Sequence, residues 1–342
     1  MVYYEVSEES VHKNHAGLKA RSDITKILKT WNHLALPKGE DKGLFDKIIC
    51  IPKTFFGWFN IYRRIKKGDV ILLQYPMLMY PKVSLVALPL IKAIKGKGAK
   101  LIYLIHDLQS LRGYDFKGVD QNWLMMADAI ISHNSVMSSY LKESGVDCPI
   151  VDLEIFDYLI EDIPSKSINK EQGIVIAGNM DPEKAGYVYQ LFSHFPNADF
   201  KIYGPNFVPS SNEAKWYEGS VPPDLLPHTI KGKYGLVWDG PSIEKCEGTY
   251  GEYLRVNNPH KLSLYIISGL PILIWKEAAE ADFVVKNGIG FAVNSIDDAI
   301  SKIRSVDENE YRSMQNNVKT IQERLAVGYY TNKSLEHALA LI

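Results

Sequence analysis

Two lysines stand where a lysine is electrostatically out of place. In Asn257-Asn258-Pro259-His260-Lys261 the pattern predicts a helix start, with Asn258 as N-cap and Pro259 in the first helical position. Gly269 then ends the helix before Pro271 opens a buried strand. A cation in the first turn lies against the positive end of the helix dipole, which is mildly unfavourable unless an anion sits between them. A diphosphate reverses that sign, because free backbone amides and the Lys261 ammonium then face negative oxygens together. Gly178-Asn179-Met180-Asp181-Pro182-Glu183-Lys184 repeats the arrangement, with a glycine for a tight turn and Lys184 near a helix start. Either lysine alone also fits a solvated surface charge. Two of them at two helix starts point to one anionic ligand.

Proton chemistry has its own candidates. His106 and Asp107 follow the apolar run Leu101-Ile102-Tyr103-Leu104-Ile105. An imidazole or a carboxylate there can take a proton from a sugar hydroxyl, and either can equally cap the next element. Arg112 and Gly113 follow on the same rim. In Ser132-His133-Asn134-Ser135 capping of the next helix is the expected role. Gly17, between Ala16 and Leu18, permits close approach of a ligand to backbone, with Lys19 and Arg21 adding positive charge. Tyr203, ahead of Gly204, could stack on a base or fill the core, which is the commoner fate of an aromatic at a strand end. The stretch from Asp239-Gly240-Pro241-Ser242 through Cys246, Gly248, Tyr250, Gly251 and Tyr253 has the composition of a mobile segment that orders over a polar ligand.

These residues recur at the ends of short apolar runs that alternate with amphipathic ones. Strands are predicted at Val2–Val6, Lys47–Ile51, Val70–Gln74, Lys100–Ile105, Ala129–Ser132 and Pro149–Leu153, with helices beginning near Gly17, Thr54, Lys82, Gln121 and Ser135. After a linker at Glu161–Glu171 the alternation restarts with Gly173–Ala177, Asp199–Tyr203, Tyr234–Trp238, Pro271–Trp275 and Gly290–Val293. Three helices close the chain, at Ile296–Val306, Glu308–Ala326 and Asn332–Ile342. The pattern predicts two doubly wound, Rossmann-like α/β domains, residues 1–160 and 172–328, with 329–342 returning to the first. Two such sheets in tandem imply a cleft at the carboxyl ends of their strands.

Bulk properties set the bounds. The 342 residues suffice for two domains with their own cores. A net charge of -1 gives no global attraction to nucleic acid. Three scattered cysteines suggest neither a disulfide framework nor a zinc site, and a reducing cytosol is the simplest setting. The start Met1-Val2-Tyr3-Tyr4-Glu5-Val6 reads as a strand, not a signal peptide. Gly-x-Gly-x-x-Gly after a strand, the P-loop and Gly-x-Ser-x-Gly are all missing, which argues against dehydrogenases, nucleoside triphosphatases and α/β-hydrolases. Asp-x-Asp is missing too, so no metal clamp on a diphosphate is signalled. The aromatic and basic stretch from Thr54 to Lys67 fits a membrane-interface helix or a crossover helix whose cations lie at its favourable C-terminal end.

Taken together, the loops resemble those of bacterial galactofuranosyltransferases of O-antigen and capsule assembly, and more distantly the glucosyltransferases that extend glycans on streptococcal serine-rich adhesins. The likeness covers nearly the whole chain. It is carried by Ala16-Gly17-Leu18-Lys19-Ala20-Arg21, Ile105-His106-Asp107 with Leu111-Arg112-Gly113, Ile131-Ser132-His133-Asn134, Ile155-Phe156-Asp157-Tyr158-Leu159, Ala177-Gly178-Asn179, Gly235-Leu236-Val237-Trp238-Asp239-Gly240 and Asn257-Asn258-Pro259-His260-Lys261. It implies a GT-B fold and an inverting transferase with no metal or other cofactor. The donor would be UDP-galactofuranose, the product β-1,6-linked. By likeness to the adhesin glucosyltransferases Lys261 matches a lysine on the donor diphosphate, Lys184 falls where that branch has an arginine and Tyr203 falls near an aromatic beside the uracil. A place in the loops after strands puts Gly17, Gly178, Asn179, Asp239, Asn258 and His260 on the donor side as well. His106 or Asp107 acts as base, and Arg112 serves the acceptor, a glycan on a lipid carrier. Glucosyl or other hexopyranosyl transfer to a protein-linked glycan, a UDP-sugar epimerase and a non-catalytic UDP-sugar-binding subunit remain open. So do peripheral contact with the inner face of the membrane and homo-oligomerisation.

Overall fold

The computed structural model describes residues 1–9, 16–37, 43–77, 80–113, 118–164, 172–208 and 213–342. Asn14, His15 and the 165–171 part of the linker lie outside them. The chain divides into two compact units, one of Met1–Lys13, Arg21–Leu153 and Thr331–Ile342, the other of Asn14–Ala20 and Glu154–Tyr330.

Among the described residues the first unit has six parallel strands: β1 (Tyr3–Glu9), β2 (Asn32–Pro37), β3 (Val70–Tyr75), β4 (Lys100–Ile105), β5 (Ala129–Ser132) and β6 (Ile150–Asp152). Their order is β2-β1-β3-β4-β5-β6, so the direction of winding reverses between β1 and β3. All six residues of β3 are buried, as in a strand covered on both faces, and Gln74 is the one polar residue among them.

Two expectations fail here. Lys47–Ile51 is not a strand, and the helix expected near Thr54 starts earlier, as α2 (Leu44–Arg64). A run of β-branched residues ending at Pro52 imitates a buried strand. What decides is the 3.6-residue period of Cys50, Thr54, Trp58 and Ile61, all buried along one stripe, with Pro52 on the exposed side. The sheet position is filled instead by β2, whose pairing Val6↔Leu34 and Glu8↔Leu36 the sequence reading missed.

The second unit, again among the described residues, has β7 (Ile174–Ala177), β8 (Phe200–Tyr203), β9 (Tyr217–Gly219), β10 (Tyr234–Val237), β11 (Ile272–Trp275) and β12 (Gly290–Val293) in the order β12-β11-β10-β7-β8-β9. The reversal falls between β7 and β10. Short β9 went unread, whereas the others match expectation to within a residue. Gly235 lets the helix His260–Ile267 lie tight on this sheet, since a Cβ there would come within 2.2 Å of Tyr265 Cγ. The Tyr265 hydroxyl then accepts the Ala177 amide at 2.7 Å, tying that helix to the end of β7. Helices Ile296–Ser305, Glu308–Ala326 and Tyr329–Ala340 complete the chain.

Candidate active site

In open α/β sheets ligands bind beyond the carboxyl ends of the strands where the winding reverses. In the second unit that point is flanked by the loops after β7 and β10. The first loop carries Gly178, Asn179 and Lys184, and the second carries Asp239. Gly178 has a φ of 150°, and no heavy atom lies within 4 Å of where a Cβ would project. Its amide donates to the Tyr203 carbonyl at 3.0 Å. Asn179 Oδ1 accepts from the Asp181 amide and from Asn206 Nδ2, and Asp181 in turn caps the turn Pro182–Ala185 through the Glu183 amide. Lys184 is thus held by a braced turn, and its carbonyl accepts the Gly240 amide at 2.7 Å.

Lys261 reaches back across this end of the sheet. Its ammonium donates to the Trp238 carbonyl and to Asp239 Oδ1, both at 2.8 Å. Burial pushes its pKa down, Asp239 opposes that shift, and Lys184 adds to it by like-charge repulsion. Lys184, Lys261 and Asp239 therefore form one electrostatic group, in which Asp239 neutralises Lys261 and Lys184 carries the surplus positive charge. Lys184 Nζ lies 5.5 Å from the Tyr250 ring centre, a cation–π contact.

Several expectations need correction. Asn258 does not cap the helix through its side chain: Pro259 is the N-cap residue, and Asn258 Nδ2 donates to the Glu154 carbonyl at 3.0 Å. Proline fixes the entry, so Asn258 is left to tie the loop to Glu154. The Gly-Tyr stretch expected to be mobile contains a helix, Gly248–Tyr253, with Gly251 pressed against Cys246. Tyr203 is 1% exposed and its hydroxyl accepts the Lys231 amide, so its ring fills the core and is not offered to a base. His260 is buried beside Tyr158 and Phe156 with no hydrogen-bond partner on Nε2, and burial, then Lys19, lowers its pKa to about 3.

The cations near Gly17, itself the second residue of α1 (Ala16–Ile27), also serve the fold. Lys19 donates to the Leu159 carbonyl at 2.7 Å and pairs with Asp224 at 3.1 Å. Arg21 is buried and donates to the carbonyls of Gln74 and Pro76, its pKa lowered by burial against the pull of Glu8, Asp107 and Glu5.

In the first unit the reversal between β1 and β3 brings together residues that the sequence reading had not connected. Glu5 on β1 is buried, pairs with His33 and accepts Gln74 Nε2 from β3 at 2.6 Å. Gln74 Nε2 also faces the Arg21 carbonyl and Thr25 Oγ1, so acceptors surround that nitrogen and the amide oxygen must point the other way. There it meets His106 Nε2 at 2.8 Å. His106 Nε2 therefore carries the hydrogen, so in the neutral ring the lone pair lies on Nδ1. Only pairing of buried acidic and amide residues at adjacent strands could have signalled this, and it requires the strand order.

Asp107 and Arg112 form an ion pair at 2.7 Å, each about a third exposed. The amides that open the following turn, Gln109 and Ser110, are held by Asp120. Asn134 caps the helix Ser135–Glu143, accepting from Val136 and Met137 amides as expected. His133 donates to the Ile105 carbonyl and is kept neutral by burial, with a pKa of about 3. Among the described residues no group of three or more His, Cys, Asp or Glu side chains could hold a metal ion.

Comparison with known proteins also separates the first sheet from the second. The glucosyltransferase 3-like N-terminal domain matches residues 4–155 and the C-terminal domain of that family matches 174–338. Over 98% of both chains the protein is 31% identical to the β-1,6-galactofuranosyltransferase WbbI of Escherichia coli K12. It is 22% identical to glucosyltransferase 3 of Streptococcus parasanguinis, over 82% of this chain and 81% of that one. Among solved structures, an α,α-trehalose 6-phosphate synthase from Burkholderia multivorans superposes with a TM-score of 0.61 at 9% identity, covering 99% of this chain and 96% of the other. At that identity the likeness concerns fold alone, and the fold is GT-B.

Proposed function

The chain belongs to the glucosyltransferase 3-like family, and from that premise we propose that it transfers a hexosyl group from a UDP-sugar, with UDP-galactofuranose as donor and a β-1,6 linkage formed with inversion. The observation that carries the donor side is the joint position of Lys184, Lys261 and Asp239 where the second sheet reverses its winding. Negative charge grows on the β-phosphate as the bond to the sugar breaks. Lys184 and the amide end of His260–Ile267 stabilise it there, without a metal. On the acceptor side His106 Nδ1 takes the hydroxyl proton, and the Glu5–Gln74 pair keeps the ring in the tautomer that can do so. Asp107 is tied to Arg112 and is assigned to acceptor binding with it. The choice of galactofuranose rests on the 31% identity to the E. coli enzyme. A lipid-linked glycan in the cytoplasm is the proposed acceptor, within cell-surface polysaccharide assembly.

The test offers UDP-galactofuranose, UDP-galactose, UDP-glucose and UDP-N-acetylglucosamine against lipid-linked acceptors, with and without EDTA, and reads the anomeric configuration of the product. β-Linked transfer from the furanose donor, undiminished by EDTA, is expected. Transfer from UDP-glucose alone would replace the donor assignment. Conversion of a UDP-sugar with no acceptor present would mark an epimerase, and UDP binding with no transfer would mark a non-catalytic subunit.

A further inference from the structure

α2 buries one stripe and exposes the rest. Opposite Cys50, Thr54, Trp58 and Ile61, the residues Leu44, Phe45, Ile48 and Phe56 are 76%, 74%, 55% and 60% exposed, with Ile51 and Phe55 beside them. Along the margin Phe55, Phe59 and Tyr62 stack at 6.1 and 6.3 Å. A contiguous apolar face of this kind on a helix already docked to its own unit is unusual for a surface that meets only water. Among the described residues its charges are one-sided. Lys53, Arg63 and Arg64 lie on the helix, Lys66 and Lys67 follow it, and all five are exposed, whereas Lys47 sits on the inner side over the Tyr80 ring. The helix has one acid, Asp46, which is tied to the Tyr80 hydroxyl. No helix among the described residues is long and apolar enough to cross a membrane.

We propose that this face of α2 lies in the headgroup region of an anionic lipid bilayer, with Leu44, Phe45, Ile48, Ile51, Phe55 and Phe56 inserted and the cations on lipid phosphates. The combination of an apolar stripe with flanking lysines and arginines and no outward carboxylate is what an interfacial helix requires. A protein-binding face of the same size would be depleted in lysine. Each cation near an anionic surface contributes about 1 kcal/mol, roughly five-fold in partitioning. The apolar face supplies the part of binding that salt does not screen. The inference deepens the proposed function, because an enzyme held at the bilayer meets a lipid-linked acceptor at high local concentration.

Cosedimentation of the full chain with vesicles of phosphatidylcholine alone, and of phosphatidylcholine mixed with phosphatidylglycerol, tests it. Strong binding to the mixed vesicles that weakens as sodium chloride is raised is expected. Arg63→Gln with Arg64→Gln should lower partitioning onto mixed vesicles by more than about ten-fold. Phe45→Ser with Phe56→Ser should lower it on both compositions, with an unchanged melting temperature. No binding of the wild-type chain to mixed vesicles, or binding that both variants leave intact, would overturn the proposal. So would a wild-type dimer in sedimentation that Phe45→Ser with Phe56→Ser makes monomeric, which would give the face to a second copy. UDP calorimetry on the same samples separates the two questions. UDP binding without vesicle binding rejects the lipid face and spares the proposed function, and vesicle binding without UDP binding does the reverse.

Discussion

The two units wind nearly alike and end their strands in opposite chemistry. In the first, the reversal between β1 and β3 gathers Glu5, Gln74 and His106, a hydrogen-bonded line that fixes where a proton sits. In the second, the reversal between β7 and β10 gathers Lys184, Lys261 and Asp239, a group with surplus positive charge. The second unit's central strands are apolar runs, whereas β1 and β3 carry Glu5 and Gln74 into the sheet itself. In each unit a few polar side chains gather at the point where the topology leaves the sheet end open, and the proposed proton-transfer and anion-binding roles are drawn from that difference.

The sharpest way to break the contrast is at the proton side. His106→Ala should lower turnover by about 10²–10⁴-fold while UDP affinity stays at the wild-type value, by initial rates and calorimetry. Next in size is Lys184→Ala, expected to cost about 10²–10³-fold in turnover and to weaken UDP binding, with an unchanged melting temperature because the side chain makes no buried ion pair. Lys261→Ala should differ from it in stability. It leaves Asp239 buried and unpaired, for about 3–5 kcal/mol of destabilisation measured by denaturant melts.

A smaller effect comes from pH. His133 and His260, one in each unit, are both held near a pKa of about 3, below the ordinary 6.5, because burial disfavours their charged forms. The unfolded chain therefore binds more protons between those values, so stability is intact above pH 6.5 and is lost as pH falls towards 3. At pH 5 each should remove up to about 2 kcal/mol, and His260→Phe should abolish that residue's share in melts at pH 7 and pH 5. The smallest effect belongs to Tyr203→Phe, which loses one hydrogen bond to the Lys231 amide. A cost of about 1 kcal/mol with unchanged UDP affinity would mark Tyr203 as core.

Much of this was legible beforehand because alternation of apolar runs and turn residues is a strong signal for parallel α/β units. The second unit's strand ends, and so the loops holding Gly178, Lys184 and Asp239, could be placed from sequence, as could the helix start that carries Lys261. Failures have physical causes. Ile48, Ile49 and Ile51 imitate a strand when they are in fact the exposed side of α2, and no pattern separates a helix's outward apolar face from a core run. Asn258 looked like a cap until Pro259 was seen to take that position. Lys19 and Arg21 looked like ligand cations until the fold brought Leu159, Gln74 and Pro76 carbonyls to them. The Glu5–Gln74–His106 line was invisible because it joins residues on β1, β3 and the end of β4.

The division of labour is tested most directly by titrating UDP into the wild-type chain, Lys184→Ala and His106→Ala under one buffer. The account predicts that Lys184→Ala weakens binding by more than about ten-fold, in keeping with loss of one charged contact, and that His106→Ala matches the wild type. Wild-type affinity in Lys184→Ala, or lost affinity in His106→Ala, would contradict it.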